Sequence, residues 1–68
     1  MTEKTFHGRS RAEIEGAIDA FIKFGDAYRP LTLIMPVSGA TKYEYRGLQI
    51  REWHTPGNVR FDAAVDLL

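Results

Sequence analysis

The sequence predicts an α+β fold: a single amphipathic helix packed on one face of a small antiparallel sheet, in the order β-α-β-β-β(-β). Three observations predict it. An apolar stripe of helical period runs from Ile14 to Gly25. Two turn signals, Arg46-Gly47 and Pro56-Gly57, separate runs whose apolar residues alternate. The third is a change of parity within TKYEYRGLQIREWH, residues 41–54. Tyr43 and Tyr45 stand on odd positions and Leu48 and Ile50 on even ones. A hairpin turning at Arg46-Gly47 produces that change, as would a bulge at Gly47 in one long strand.

Length and composition set the frame. A chain of 68 residues has room for one domain, spanning 1–68, with one thin core, and domains of this size often gain stability by self-association. There is no cysteine, which excludes disulfides and thiolate metal sites. With only His7 and His54 as histidines, no metal site and no cofactor are expected. Nine basic and nine acidic residues balance to zero formal charge, against a large non-specific attraction for nucleic acid. The opening MTEKTFHGRS lacks the apolar core of a signal peptide, and no run approaches membrane-spanning length. The expectation is a cytoplasmic protein with no membrane contact.

Residues 3–7 form the first expected strand, the weakest, because only Phe6 is strongly apolar. Gly8 breaks it. Ser10 stands three residues before Glu13, the spacing of a capping box, so a helix should start at Arg11. Ile14, Ala17, Ile18, Phe21, Ile22 and Gly25 then recur at i, i+3, i+4, i+7, i+8 and i+11. Glu15 and Asp19 are like charges one turn apart, while Asp19 and Lys23 pair favourably. Gly25 and Pro30 loosen and end the helix, expected over 11–26.

A second strand is expected over 31–37, LTLIMPV, with Ile34 on its less covered face and Pro36 marking an edge or an end. The hairpin at Arg46-Gly47 pairs strand 41–45 with strand 48–54 and sends Tyr43, Tyr45, Leu48 and Ile50 to one face. A four-residue loop, Thr55 to Asn58, leads to the last strand, 59–66, in which Val59, Phe61, Ala63, Val65 and Leu67 alternate inward. A short helix from Asp62 is the alternative for the tail. This register places Arg51 opposite Asp62, a cross-strand ion pair, and Trp53 opposite Arg60, a cation–π pair.

The candidate contact surface is the outer face of the sheet, with Trp53, Arg60, Arg51, Lys42 and Ile34. Trp and Arg are enriched where proteins meet. The bland reading is a tryptophan lying on its own sheet. Lys42 opposite Arg51 is a like-charge pair, read either as part of a neutralised network or as an anion site. Arg9, Ser10 and Arg11 precede the helix and form a second, weaker anion-binding candidate, since their spacing matches no phosphate-loop pattern and Ser10 already caps the helix. Glu52 and His54 fall on the inner face and invite a general acid–base reading, but no activated nucleophile accompanies them. No catalytic residue is expected.

The functional expectation is a small non-enzymatic binding or regulatory protein, acting by protein–protein contact through the open sheet face or an edge strand. Its partner would be another protein or a second copy in a homodimer. Accessory inhibitors and adaptors carried by phages and mobile elements are often built on this scale. The alternatives are a nucleic-acid or nucleotide binder using the same basic and aromatic residues, and, well behind, a small enzyme.

Overall fold

The computed structural model describes residues 2–25, 27–31 and 40–68. Its elements are β1 (Thr2–Gly8), α1 (Arg11–Phe24), β2 (Tyr28–Pro30), β3 (Ala40–Tyr45), β4 (Leu48–Thr55) and β5 (Asn58–Leu67). The fold is α+β, one helix packed against a five-stranded antiparallel sheet. The strand order is β1-β5-β4-β3, and β2 extends β5 beyond the end of β4. Among the described residues no helix is long and apolar enough to cross a membrane.

The helix starts where the sequence predicts. Ser10 is extended (φ −147, ψ 162), and its Oγ accepts the Glu13 N–H at 3.1 Å, which satisfies one of the free donors of the first turn. It stops at Phe24, two residues before the expected end, because the Gly25 N–H bonds Phe21 O at 2.6 Å and the chain then runs extended. Residues 28–30 form a short strand in place of the expected loop, pairing Tyr28 with Leu67 and Pro30 with Val65. Pro30 is tolerated because a proline costs little on a strand with one unpaired side. Of the strand expected over 31–37, Leu31 is described and lies outside any strand; the remainder, Ile34 included, lies outside the described residues.

The parity change at Gly47 is a hairpin. Tyr45 pairs with Leu48, Tyr43 with Ile50 and Lys42 with Arg51. Arg46 and Gly47 both take positive φ, 53 and 86, the type I′ geometry that matches the twist of the flanking strands. Arg46 is an uncommon residue there, and its guanidinium is anchored to Asp19 Oδ1 at 2.9 Å. The second hairpin has a two-residue loop, Pro56-Gly57, with Thr55 opposite Asn58, shorter than the four residues expected. Proline followed by a glycine at φ 75 suits the tight turn. The tail is a strand, β5, and not a helix: it runs ten residues through the middle of the sheet. Its first half pairs with β4, and β1 pairs along Phe61–Leu67.

One face of this sheet carries the core. Ile14 and Ile18 of α1 pack on Leu48, Ile50 and Val65, all fully buried, with Phe6, Phe61 and Ala63 around them. Gly8 lets β1 pass under the start of the helix, since a Cβ there would lie 2.8 Å from the Ile14 backbone nitrogen. Phe21 extends the core through edge-on contacts to Phe6 (5.4 Å) and Tyr28 (5.3 Å).

Candidate contact site on the second sheet face

Antiparallel pairing sends alternate residues of each strand to the face away from α1. His7 of β1, Asp62 of β5, Arg51 of β4 and Lys42 of β3 form one row across that face, and Arg60 and Trp53 stand opposite each other in the next row toward the second hairpin. Among the described residues no element packs on this face.

Asp62 organises the surface. Arg51 clamps its carboxylate with two bonds, Nε to Oδ1 at 3.0 Å and Nη2 to Oδ2 at 2.6 Å, and Trp53 Nε1 donates to Oδ1 at 3.1 Å. The expected ion pair is therefore present and carries a third partner. Burial alone would raise the Asp62 pKa, but the bonds from Arg51 and Trp53 and the charges of Arg51 and His7 outweigh it and hold the carboxyl below its ordinary value. The cation on Trp53 is Arg51, with Cζ 5.1 Å from the ring centroid, and not Arg60 as the register alone suggests. Arg51 is drawn to the indole because Asp62 holds both; Arg60, although opposite Trp53, forms no ion pair among the described residues and is exposed. Lys42 remains opposite Arg51 and exposed.

Beside Trp53 the surface sinks into an open depression of about 400 Å³, lined by His7, Arg9, Glu13, Trp53, Arg60 and Asp62 among others. The pairing of β1 with β5 brings Arg9 and Arg60, which belong to two separate candidates in the sequence, to one concavity. His7 and Glu13 are lining residues that sequence reasoning missed. The missing information was the neighbour of β1, which no local pattern reveals. Neither Arg9 nor Arg60 forms an ion pair with a described residue. The other members of the helix-start candidate are occupied: Ser10 caps the helix, and Arg11 Nη2 bonds Glu52 Oε1 at 3.2 Å while its guanidinium stacks 4.5 Å from the Tyr43 centroid.

The inner face has polar structure of its own. Glu52 also takes His54, Nε2 to Oε2 at 2.8 Å, so the Glu52–His54 pair proposed on sequence grounds is formed, at the rim of the sheet beside Arg11. Glu15 and Asp19, like charges one turn apart, are explained here. The Tyr43 hydroxyl donates to Glu15 at 3.1 Å, and the Tyr45 hydroxyl donates to Asp19 at 2.9 Å. Four residues of helix rise about 6 Å and two of strand about 7 Å, so the two spacings match and the carboxylates meet successive tyrosines. Among the described residues no three histidine or acidic side chains converge as a metal ion would require.

This ladder has a measurable consequence. Burial first, then the bond to Glu15, pushes the Tyr43 pKa up to about 12. A raised pKa means that the stabilisation is whole below the unfolded value near 10 and disappears as pH climbs through the folded one. Alkaline absorbance titration should therefore show Tyr43 ionising near pH 12, and Tyr43→Phe should remove that step at a cost of about 1 kcal/mol in stability. An unchanged titration curve in that variant would show the assignment to be wrong.

Comparisons with protein-family models, curated proteins and solved structures return no match.

Proposed function

We propose that this chain is a non-enzymatic binding protein that recognises a protein partner through its second sheet face, with the Trp53 depression as the centre of contact. One observation carries the reading. Two arginines without ion-pair partners among the described residues, Arg9 and Arg60, flank a half-buried tryptophan around a concavity of about 400 Å³. A tryptophan and arginines at a concave centre are the residue types that dominate binding energy at protein interfaces. Trp53 is held in place by Asp62 and Arg51, so little ordering remains to be done on binding. The two free guanidiniums favour an acidic segment on the partner, a carboxylate pairing with each fork.

Affinity capture followed by titration tests the reading. Trp53→Ala should weaken the captured complex at least about thirtyfold, and Arg60→Ala about tenfold with a faster loss in salt. Partners retained equally by wild type and Trp53→Ala would sink it. Binding of single-stranded oligonucleotides, with an affinity that falls steeply with salt, would instead favour a nucleic-acid role for the same residues.

A further inference from the structure

The outer edge of β1 carries a second surface, although His7 near its end also lines the Trp53 depression. Among the described residues β1 pairs only with β5, so its outward backbone groups have no strand partner. Seven residues of unpaired edge form a template for another strand. Above that edge, between β1 and α1, lies an apolar groove of about 420 Å³ lined by Phe6, Ala17, Ala20, Phe21 and Phe24, with Lys4 at its border. Phe24 is 79% exposed, the most exposed large apolar side chain among the described residues. An unpaired edge beside an apolar groove is the arrangement that strand addition uses, the backbone supplying affinity and the groove supplying side-chain contacts.

We infer that β1 pairs antiparallel with β1 of a second copy, about a two-fold axis at Thr5, joining the two sheets into one. The sequence of the edge selects this occupant and this register. With Thr5 opposite Thr5, Glu3 of each chain faces His7 of the other on the second face, and Lys4 faces Phe6 on the helix face. Lys4 Nζ already lies 5.6 Å from its own Phe6 centroid, so the partner's ring offers the same cation–π contact. Centring the pair on Lys4 would set two ammonium groups against each other. Centring it on Phe6 would carry Glu3 past the end of the strand, opposite Arg9, and set Lys4 against Gly8, losing the cation–π contact. The symmetric register also closes on itself, as an isologous contact must, and leaves no new edge on that side for further chains.

The helices agree with the strands. The α1 backbone lies nearest β1 and β5. A two-fold axis through Thr5 would then set the two helices side by side, about two strand spacings or roughly 10 Å apart, which is near the usual separation of packed helices. Ala17 and Ala20 are small enough to permit that approach, and Phe24 of each helix would lie against the other copy.

Light scattering over a dilution series reaching about 1 mM chain, with amide hydrogen exchange of β1, tests the inference. Wild type should pass from monomer to dimer, and the β1 amides should gain protection only in the dimer. Glu3→Lys should weaken the dimer about tenfold, two opposed pairs being reversed at once, and His7→Lys should tighten it severalfold. Phe24→Asp should give a monomer, and Ala20→Glu provides the same test at another exposed position; an unchanged circular dichroism spectrum shows that each variant is folded. A wild type that stays monomeric throughout overturns the inference. So does a dimer indifferent to Glu3→Lys and Phe24→Asp. If that dimer is dispersed by Trp53→Ala, the copies meet through the depression, and the partner-contact reading survives while this one fails.

Discussion

Ile50→Ala should cost about 2–5 kcal/mol of stability, a large share of what so small a domain has. Ile50 is fully buried at the centre of the helix-facing sheet surface, in a cluster with Ile14, Ile18, Leu48 and Val65. Removing three carbons there loses their transfer free energy and opens a cavity that the sheet backbone cannot close. The reserve is small: a chain of this length has roughly 3–10 kcal/mol in all, with no disulfide to support it. Each kcal/mol shifts the midpoint of a domain this small by about 4–8 °C, so thermal unfolding followed by circular dichroism should show a fall of at least about 10 °C. Glu44→Ala, on the exposed face of β3, is the matched control and should change stability by less than about 0.5 kcal/mol. A loss below about 1 kcal/mol for Ile50→Ala would mean that Ile50 is not a core residue and that the hairpin register is wrong.

That register was legible because its signals are local. Ser10 and Glu13 mark the helix start by spacing alone, and the parity change at Gly47 has few explanations in so short a chain. The second turn, at Pro56-Gly57, then pairs β4 with β5 and sets Arg51 opposite Asp62. What the chain concealed is non-local. β1 has one strongly apolar residue because its helix-facing positions are Lys4, Phe6 and Gly8, and Gly8 must stay bare beneath the helix start, so alternation could not disclose that its neighbour is β5. Without that neighbour, His7 and Arg9 could not be brought to Trp53. β2 escaped notice for a similar reason: three residues, one of them proline, have no period to read, and Tyr28 is held by Phe21 and by pairing with the end of β5. The tyrosine–carboxylate ladder did leave a trace. Two acidic residues one helical turn apart and two tyrosines one strand repeat apart are each odd alone, and together they give the crossing of helix over hairpin. The partner of the Trp53 ring could not be read from register either, since it depends on which of two arginines has a carboxylate to hold it.

Asp62→Ala should cost about 2 kcal/mol at neutral pH, and the penalty should vanish in acid. The side chains of Arg51 and Asp62 are only 22% and 19% exposed, so removing the acid takes away both bonds that Arg51 makes to it and the acceptor of the Trp53 indole N–H. The folded carboxyl titrates below its ordinary value of 3.8. The native state therefore holds fewer protons than the unfolded chain between the two values, and the stabilisation is present above pH 3.8 and lost as pH falls through the folded pKa. Urea midpoints of wild type and Asp62→Ala should differ clearly at pH 7 and draw together as the pH falls below 3.8; a penalty that does not shrink in acid would mean that the carboxylate charge is not what Asp62 contributes. Trp53 emission supplies a second reading. With its N–H released and Arg51 no longer clamped to Asp62, the indole should shift to the red in the folded variant, and the depression should lose its shape. If Trp53 is the centre of partner contact, Asp62→Ala must then weaken binding although Asp62 itself is spent on internal bonds, whereas Tyr43→Phe, which loosens only the helix-facing side, should leave the partner's affinity unchanged. A variant that loses Asp62 and keeps full affinity would separate the architecture of this face from its use.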